Sequence, residues 1–153
     1  GEQASLNNPA GLAYDSQEEI LYFTDWGYDA IRQVDVNTAE VVTLISPGQG
    51  VAGNMPPQGP AGITLGNNGS IYFADFNNHV IRRIDKYENF YFVSEVVGFY
   101  DMPGNENGIG TSSRLHRPYG VQFTQVNDGN TTSVAIYISD VGNAQLKVAK
   151  FQQ

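Results

Sequence analysis

Residues 60–85, PAGITLGNNGSIYFADFNNHVIRRID, decide the fold because their pattern occurs three times along the chain. Each copy contains a Pro-x-Gly-hydrophobic start, an apolar run that ends in Asp, and an apolar-basic pair six and seven residues beyond that Asp. The starts are residues 9–12, 60–63 and 118–121, the apolar runs are 21–25, 71–75 and 136–140, and the pairs are 31–32, 81–82 and 146–147. Three elements repeated in the same order indicate one structural unit used three times.

Each repeat is predicted to form consecutive antiparallel strands. Short Val/Ile-rich and aromatic runs separated by Gly, Pro and Asn favour β structure, and no long 3.6-residue periodicity occurs. Gly66-Asn67-Asn68-Gly69 suits a hairpin between the first two strands, because Gly and Asn tolerate positive φ. A fourth strand is predicted over 40–45 and over 92–97, in the first two repeats only. The unit is therefore a four-stranded meander, complete twice and three-stranded once.

A four-stranded antiparallel unit of this length is typical of a β-propeller blade. The repeats resemble the NHL repeat family, whose blade pattern has a Pro-x-Gly-hydrophobic start and a hydrophobic-Tyr-hydrophobic-small-Asp strand. A turn often holding Asn-His and a hydrophobic-Arg-x-hydrophobic-Asp strand complete that pattern. The middle repeat matches it from Pro60 to Asp85, and the resemblance covers nearly the whole chain. It implies an all-β fold, a partial β-propeller of NHL-type four-stranded antiparallel blades, with two full blades and a three-stranded third.

The predicted organisation is a single propeller segment over residues 1–153. Its parts are blade 1 at about 9–46, a connector at 47–59, blade 2 at about 60–98, a connector at 99–117 and an incomplete blade 3 at about 118–151. Propellers typically close with about 4–8 blades, and the resemblance implies six, so the chain supplies half a ring. Either the chain is a fragment of a longer propeller, which we favour, or a homodimer closes the six-bladed ring.

Composition narrows the classes of function. Eight Lys and Arg against 16 Asp and Glu give a formal net charge of −8, which argues against binding nucleic acid or an anionic membrane. Membrane insertion is not expected, because no apolar run reaches the roughly 18 residues of a membrane span. The chain has no Cys, which excludes disulfides, thiolate metal sites and a Cys nucleophile. Two sequons, Asn68-Gly69-Ser70 and Asn130-Thr131-Thr132, weakly favour a secreted or cell-surface protein.

The Asp that ends the apolar run of each repeat has two interpretations. The three residues could form a carboxylate ring around a central cation, or each could cap the backbone of a turn. They are Asp25, Asp75 and Asp140. We favour capping, since a residue repeated at the same strand end in every blade usually serves the fold. Arg32, Arg82 and Lys147 are expected along the blade surfaces, paired with neighbouring carboxylates rather than clamping a ligand.

One face of the predicted propeller carries the candidate binding residues. In a propeller, the loops from strand two to strand three and from strand four to the next blade emerge on the same face. The candidates on this face are Trp26, Tyr28, Phe76, His79, His116, Arg117 and Tyr119. Aromatic side chains at loop ends can anchor a peptide or a glycan. Packing between blades is the favoured alternative for Trp26 and Phe76, and a structural turn is favoured for His79.

Standard catalytic signatures are absent from the sequence, which has no Gly-x-Ser-x-Gly elbow, Walker loop, His-Glu-x-x-His or dinucleotide fingerprint. No cofactor or metal site is predicted, since two His residues alone cannot supply a three-His site. The leading prediction is a non-catalytic interaction or scaffold module that binds a protein or other macromolecular partner through the loops of one face. The alternative implied by the resemblance is part of a metal-dependent propeller lyase or hydrolase whose remaining ligands lie outside this chain.

Overall fold

The computed structural model describes residues 4–48, 55–88, 90–127 and 132–152, which form three antiparallel sheets in chain order. Blade 1 contains β1 (Pro9–Asp15), β2 (Ile20–Asp25), β3 (Ala30–Asp35) and β4 (Val41–Ile45). Blade 2 contains β5 (Pro60–Leu65), β6 (Ile71–Asp75), β7 (Val80–Tyr87) and β8 (Phe90–Val97). Blade 3 contains β9 (Pro118–Asn127), β10 (Thr132–Asp140) and β11 (Gln145–Gln152). In every blade, strands that follow each other in sequence are paired, so the predicted fold class is confirmed.

A tight turn connects β5 and β6 at the predicted hairpin. The Gly66 N–H donates a hydrogen bond to the Ser70 carbonyl oxygen at 2.8 Å, and Gly69 adopts a φ of 78°. Asn68 is exposed there, so the first sequon lies on an accessible hairpin tip. Residues 130–131 of the second sequon lie outside the described residues.

The first strand of each blade lies beside the first strand of the next blade. A Cβ atom on Gly11 would lie 2.5 Å from the Ala61 carbonyl oxygen, and one on Gly62 would lie 2.6 Å from the Tyr119 carbonyl oxygen. Only glycine permits such an approach of backbone to backbone. The repeated Pro-x-Gly therefore encodes the contact between successive blades.

The hydrophobic core lies between the blades. Strand side chains alternate between the two faces of a sheet, so blade 2 contributes to a separate cluster on each side. The cluster between blades 1 and 2 includes Tyr22, Ile31, Ile45, Ile63, Phe73 and Ile84. The cluster between blades 2 and 3 includes Tyr72, Ile81, Leu115, Val121, Phe123 and Ile136. Among the described residues, no helix is long and apolar enough to cross a membrane.

Replacing Phe73 by Ala should lower the free energy of unfolding by about 3–5 kcal/mol, because the ring is fully buried between blades 1 and 2. Phe92 is a matched control, since it lies on β8 of the same blade and is 44% exposed. Phe92→Ala should cost at most about 1 kcal/mol. Urea unfolding followed by circular dichroism measures both losses, and equal losses would contradict a core placed between blades.

Candidate functional site

The repeated Asp holds the chain just before each blade. In every blade, its Oδ1 accepts a hydrogen bond from the backbone N–H two residues before the repeat proline. These bonds run from Asn7 to Asp25 at 2.7 Å, from Gln58 to Asp75 at 2.9 Å and from His116 to Asp140 at 2.7 Å. The residue two beyond the Asp donates its N–H back to the same connector residue: Gly27 to Asn7, Asn77 to Gln58 and Gly142 to His116. The predicted capping role is confirmed.

The second carboxylate oxygen of each Asp faces the basic residue seven positions later. The Oδ2 distances are 2.8 Å to Arg32 Nε in blade 1, 3.2 Å to Arg82 Nε in blade 2 and 3.5 Å to Lys147 Nζ in blade 3. The predicted pairing with carboxylates is therefore confirmed. All three carboxylates are fully buried, so each needs this positive partner.

The prediction that Arg82 lies along a blade surface is wrong. Only 1% of this residue is exposed, and it has the largest fully buried side chain among the described residues. The guanidinium is stable there because it pairs with Asp75 and donates through Nη1 to the Met55 carbonyl oxygen at 2.6 Å. The ring of Tyr100, from the following connector, lies 5.2 Å from its central carbon.

In blades 2 and 3, an Asn three residues beyond the repeat Asp donates a hydrogen bond to the same carboxylate. The sequence analysis did not predict this contact. Asn78 donates through Nδ2 to Asp75 Oδ2 at 2.9 Å and to the Pro56 carbonyl oxygen at 3.2 Å. Asn143 makes the equivalent bond to Asp140 Oδ2 at 2.7 Å and reaches the Gly104 carbonyl oxygen at 2.7 Å. The signal was present in the sequence as Asp-x-x-Asn, repeated at 75–78 and 140–143.

Burial dominates the electrostatics of the middle carboxyl group. It raises the pKa of Asp75 to about 6, and the opposing effects of Arg82 and of the hydrogen bonds from Asn78 and Gln58 are smaller. The carboxyl group is still mostly ionised at neutral pH, so the ion pair with Arg82 persists there.

A second type of hydrogen bond connects blade 1 to blade 2 and blade 2 to blade 3. Asp29, His79 and Ala144 each stand four residues beyond the repeat Asp, and all three adopt positive φ. Asp29 Oδ1 accepts the Gly59 N–H at 2.7 Å, and His79 Nδ1 accepts the Arg117 N–H at 3.1 Å. His79 ends the turn between β6 and β7 with a φ of 61°, in line with the structural turn favoured for it. Its cap across blades 2 and 3 was not predicted. Ala144 has no side-chain acceptor for such a bond.

Three of the predicted aromatic residues come together, one from each blade, and we call Trp26, Phe76 and Tyr119 the aromatic patch. Ring centroids are 5.0 Å apart for Trp26 and Phe76, and Tyr119 lies 6.2 Å from each of them. Trp26 and Phe76 are half-buried and also pack against the core between blades 2 and 3, as the packing alternative predicted. Tyr119 is 47% exposed, so the patch has an accessible edge.

The basic candidates adjoin the aromatic patch. The Arg117 guanidinium carbon lies 5.9 Å from the Phe76 ring centroid, and the Arg117 side chain is exposed. The rings of His79 and His116 lie 5.4 Å apart in an edge-to-face arrangement. Tyr28 makes different contacts: its ring faces the Arg32 guanidinium at 5.4 Å, and its hydroxyl is 3.1 Å from Ser5 Oγ.

The described residues contain no group of three or more His, Cys, Asp and Glu side chains arranged to hold a metal ion. The repeated carboxylates each engage the cation of their own blade instead.

Asp75→Asn tests the buried ion pair. The amide oxygen can still accept the Gln58 N–H, but the charge facing Arg82 is lost. Removing one partner of a buried pair costs about 3–5 kcal/mol, and we expect a loss of unfolding free energy in that range. Asp25→Asn is the matched control, because the Arg32 side chain is 16% exposed against 2% for Arg82 and can rehydrate. A loss for Asp25→Asn as large as that for Asp75→Asn, in urea unfolding, would show that burial of the cation does not set the cost.

His79 should make stability depend on pH. Burial, followed by the nearby His116, lowers the pKa of His79 below its ordinary 6.5, so the unfolded chain binds this proton more readily. The contribution of His79 to stability is therefore complete above pH 6.5 and is lost as the pH falls through the folded-state pKa.

His79→Asn keeps an acceptor for Arg117 and tolerates positive φ, but it cannot titrate. Asp75 titrates in an overlapping range with the opposite sign, so the measured quantity is the difference between wild type and variant. The stability advantage of wild type over His79→Asn should shrink between pH 7 and pH 5. A difference that stays constant over this range refutes the assignment.

Known proteins with NHL repeats are similar in sequence to part of this chain. No family model matches the chain. Bovine NHL repeat-containing protein 2 is 35% identical over 94 residues, which cover 56% of this chain and 13% of that protein. The chain thus spans a small part of the curated relatives that it matches.

Solved structures show the same architecture. An auxiliary nutrient binding protein from Bacteroides thetaiotaomicron superimposes with a TM-score of 0.75 at 21% identity, over 95% of this chain and 34% of that one. Virginiamycin B lyase from Staphylococcus aureus gives a TM-score of 0.59 at 16% identity, over 98% of this chain and 43% of that one. At these identities the similarity concerns the fold. The three successive antiparallel blades are those of a β-propeller, and the repeats are similar in sequence to part of NHL repeat-containing protein 2.

Proposed function

We propose that this chain is a non-catalytic interaction module and that its aromatic patch binds a peptide segment of a protein partner. The observation that carries the proposal is the meeting of Trp26, Phe76 and Tyr119, from three different blades, beside the exposed Arg117. Trp, Tyr and Arg are the residues that most often dominate binding energy in protein interfaces.

The chemistry of the patch indicates the kind of peptide. Arg117 forms no ion pair with any described residue, although the chain as a whole carries a charge of −8. An apolar side chain laid against Tyr119, followed by a carboxylate at Arg117, would satisfy both features. The carboxylate can belong to Asp, Glu or a chain terminus.

The blade contacts hold this patch in place before binding. The Arg117 N–H is fixed to His79 Nδ1, and the Gly59 N–H is fixed to Asp29 Oδ1, so neighbouring blades cannot shift freely at this face. A site whose groups are already positioned loses less conformational entropy when a ligand binds.

Trp26 provides the test, because it is the only Trp of the sequence and lies within the patch. Peptides selected from a displayed random library should change Trp26 fluorescence on binding. Tyr119→Ala and Arg117→Ala should each weaken that binding about 10–30-fold, as loss of a hot-spot side chain does. Tyr87→Ala is the control, since Tyr87 is 52% exposed at the opposite end of a blade. Selected peptides that leave the fluorescence unchanged, or that bind Tyr119→Ala and Tyr87→Ala equally, would place binding elsewhere.

A further inference from the structure

Three side chains that donate hydrogen bonds stand together beside the aromatic patch, and we call His79, His116 and Arg117 the basic cluster. His79 ends the turn between β6 and β7, and the other two precede β9. The two imidazole rings are 5.4 Å apart, and the Arg117 backbone N–H donates to His79 Nδ1 at 3.1 Å. The Arg117 guanidinium carbon lies 5.9 Å from the ring centroid of Phe76, so the basic cluster adjoins the aromatic patch.

The donors of the basic cluster have no acceptor among the described residues. His79 uses Nδ1 to accept a hydrogen bond, so its neutral ring carries the proton on Nε2 as a donor. Within the described ranges, neither the His116 ring nor the Arg117 guanidinium forms an ion pair, and neither donates a hydrogen bond. These groups are therefore available to a ligand.

The three groups of the basic cluster share one electrostatic environment. Burial lowers the pKa of His79, and the charges of His116 and Arg117 lower it further. Asp101 and Asp140 act in the opposite direction. Asp140 already faces Lys147, whereas Asp101 forms no ion pair within the described ranges. An anion bound to the basic cluster would therefore face Asp101 as its nearby repulsive charge.

The number of donors distinguishes a phosphoryl group from a carboxylate. The guanidinium of Arg presents a fork of N–H groups that matches the two oxygens of one carboxylate. The two imidazoles add at least one N–H each, which a carboxylate held by Arg117 would leave unused. A phosphorylated Ser or Thr has three acceptor oxygens and a charge of about −1.5 to −2 near neutral pH. It can therefore engage Arg117 and the imidazoles together.

We propose that the basic cluster binds the phosphoryl group of a phosphorylated Ser or Thr in the peptide that the aromatic patch holds. The inference rests on the proposed function, because the same peptide makes both contacts. Phosphorylation of the partner would then control its affinity for this face. The net charge of −8 supports selectivity, since the remainder of the chain repels an anionic peptide.

Titration with the amino acid phosphoserine tests the basic cluster without the peptide. The chain has two His residues, so His79→Asn assigns both imidazole NMR signals. At constant ionic strength, phosphoserine should shift both signals to saturation, and serine should leave them unchanged. Arg117→Ala should abolish the shifts. Lys86→Ala is the matched control, because it removes an exposed positive charge at the end of β7 far from His79. Unshifted signals, or equal shifts in Arg117→Ala, would overturn the proposal.

A peptide that binds the aromatic patch tests the complete site when it carries Ser, Asp or phosphoserine at the position that responds to Arg117→Ala. Measured by Trp26 fluorescence, the phosphoserine form should bind about tenfold more tightly than the Asp form. His79→Asn keeps the acceptor for the Arg117 N–H, and it should reduce this advantage because the imidazole donor is lost. Asp101→Asn should increase the advantage, since it removes a repulsive charge.

The outcomes separate this inference from the proposed function. Equal affinities for the Asp and phosphoserine forms would overturn the phosphoryl site and leave peptide binding intact. Failure of every peptide to bind, while phosphoserine still shifts the imidazole signals, would refute the proposed function and with it a phosphopeptide as the ligand. A single-stranded RNA that shifts these signals at lower concentrations than the phosphopeptide does would assign the basic cluster to nucleic acid and overturn the inference.

Discussion

The structure depends on one buried carboxylate per blade, which contacts a backbone N–H and a basic side chain at the same time. One oxygen of Asp25, Asp75 or Asp140 takes the backbone N–H of the connector, and the other faces a cation on the third strand. A buried charge is tolerated only when it is paired and hydrogen-bonded. Losing either contact would therefore leave a buried carboxylate without enough partners and would destabilise the fold. The connector is therefore fixed to the end of its own blade, and the proline that follows starts the first strand in the required place.

The aromatic residues of the candidate binding face lie directly beside the residues that make these contacts. Trp26 and Phe76 directly follow the repeat Asp, and Tyr119 directly follows the repeat proline. The unit sets the positions of these side chains but leaves their identity free, because blade 3 has Val141 where the other blades have Trp and Phe. A propeller can thus keep its fold while the side chains presented on this face change.

The order of the strands, the hairpin at 66–69 and the capping by Asp could be predicted from the sequence, because each depends on residues close together or on the repeat. The burial of Arg82 could not, since a basic residue in a strand usually indicates a solvated position and its Met55 partner lies 27 residues away. The side-chain caps from Asp29 and His79 could not be predicted either, because they connect residues 30 and 38 positions apart through residues with positive φ. The sequence could place the aromatic residues on one face, but their contact depends on how successive blades pack.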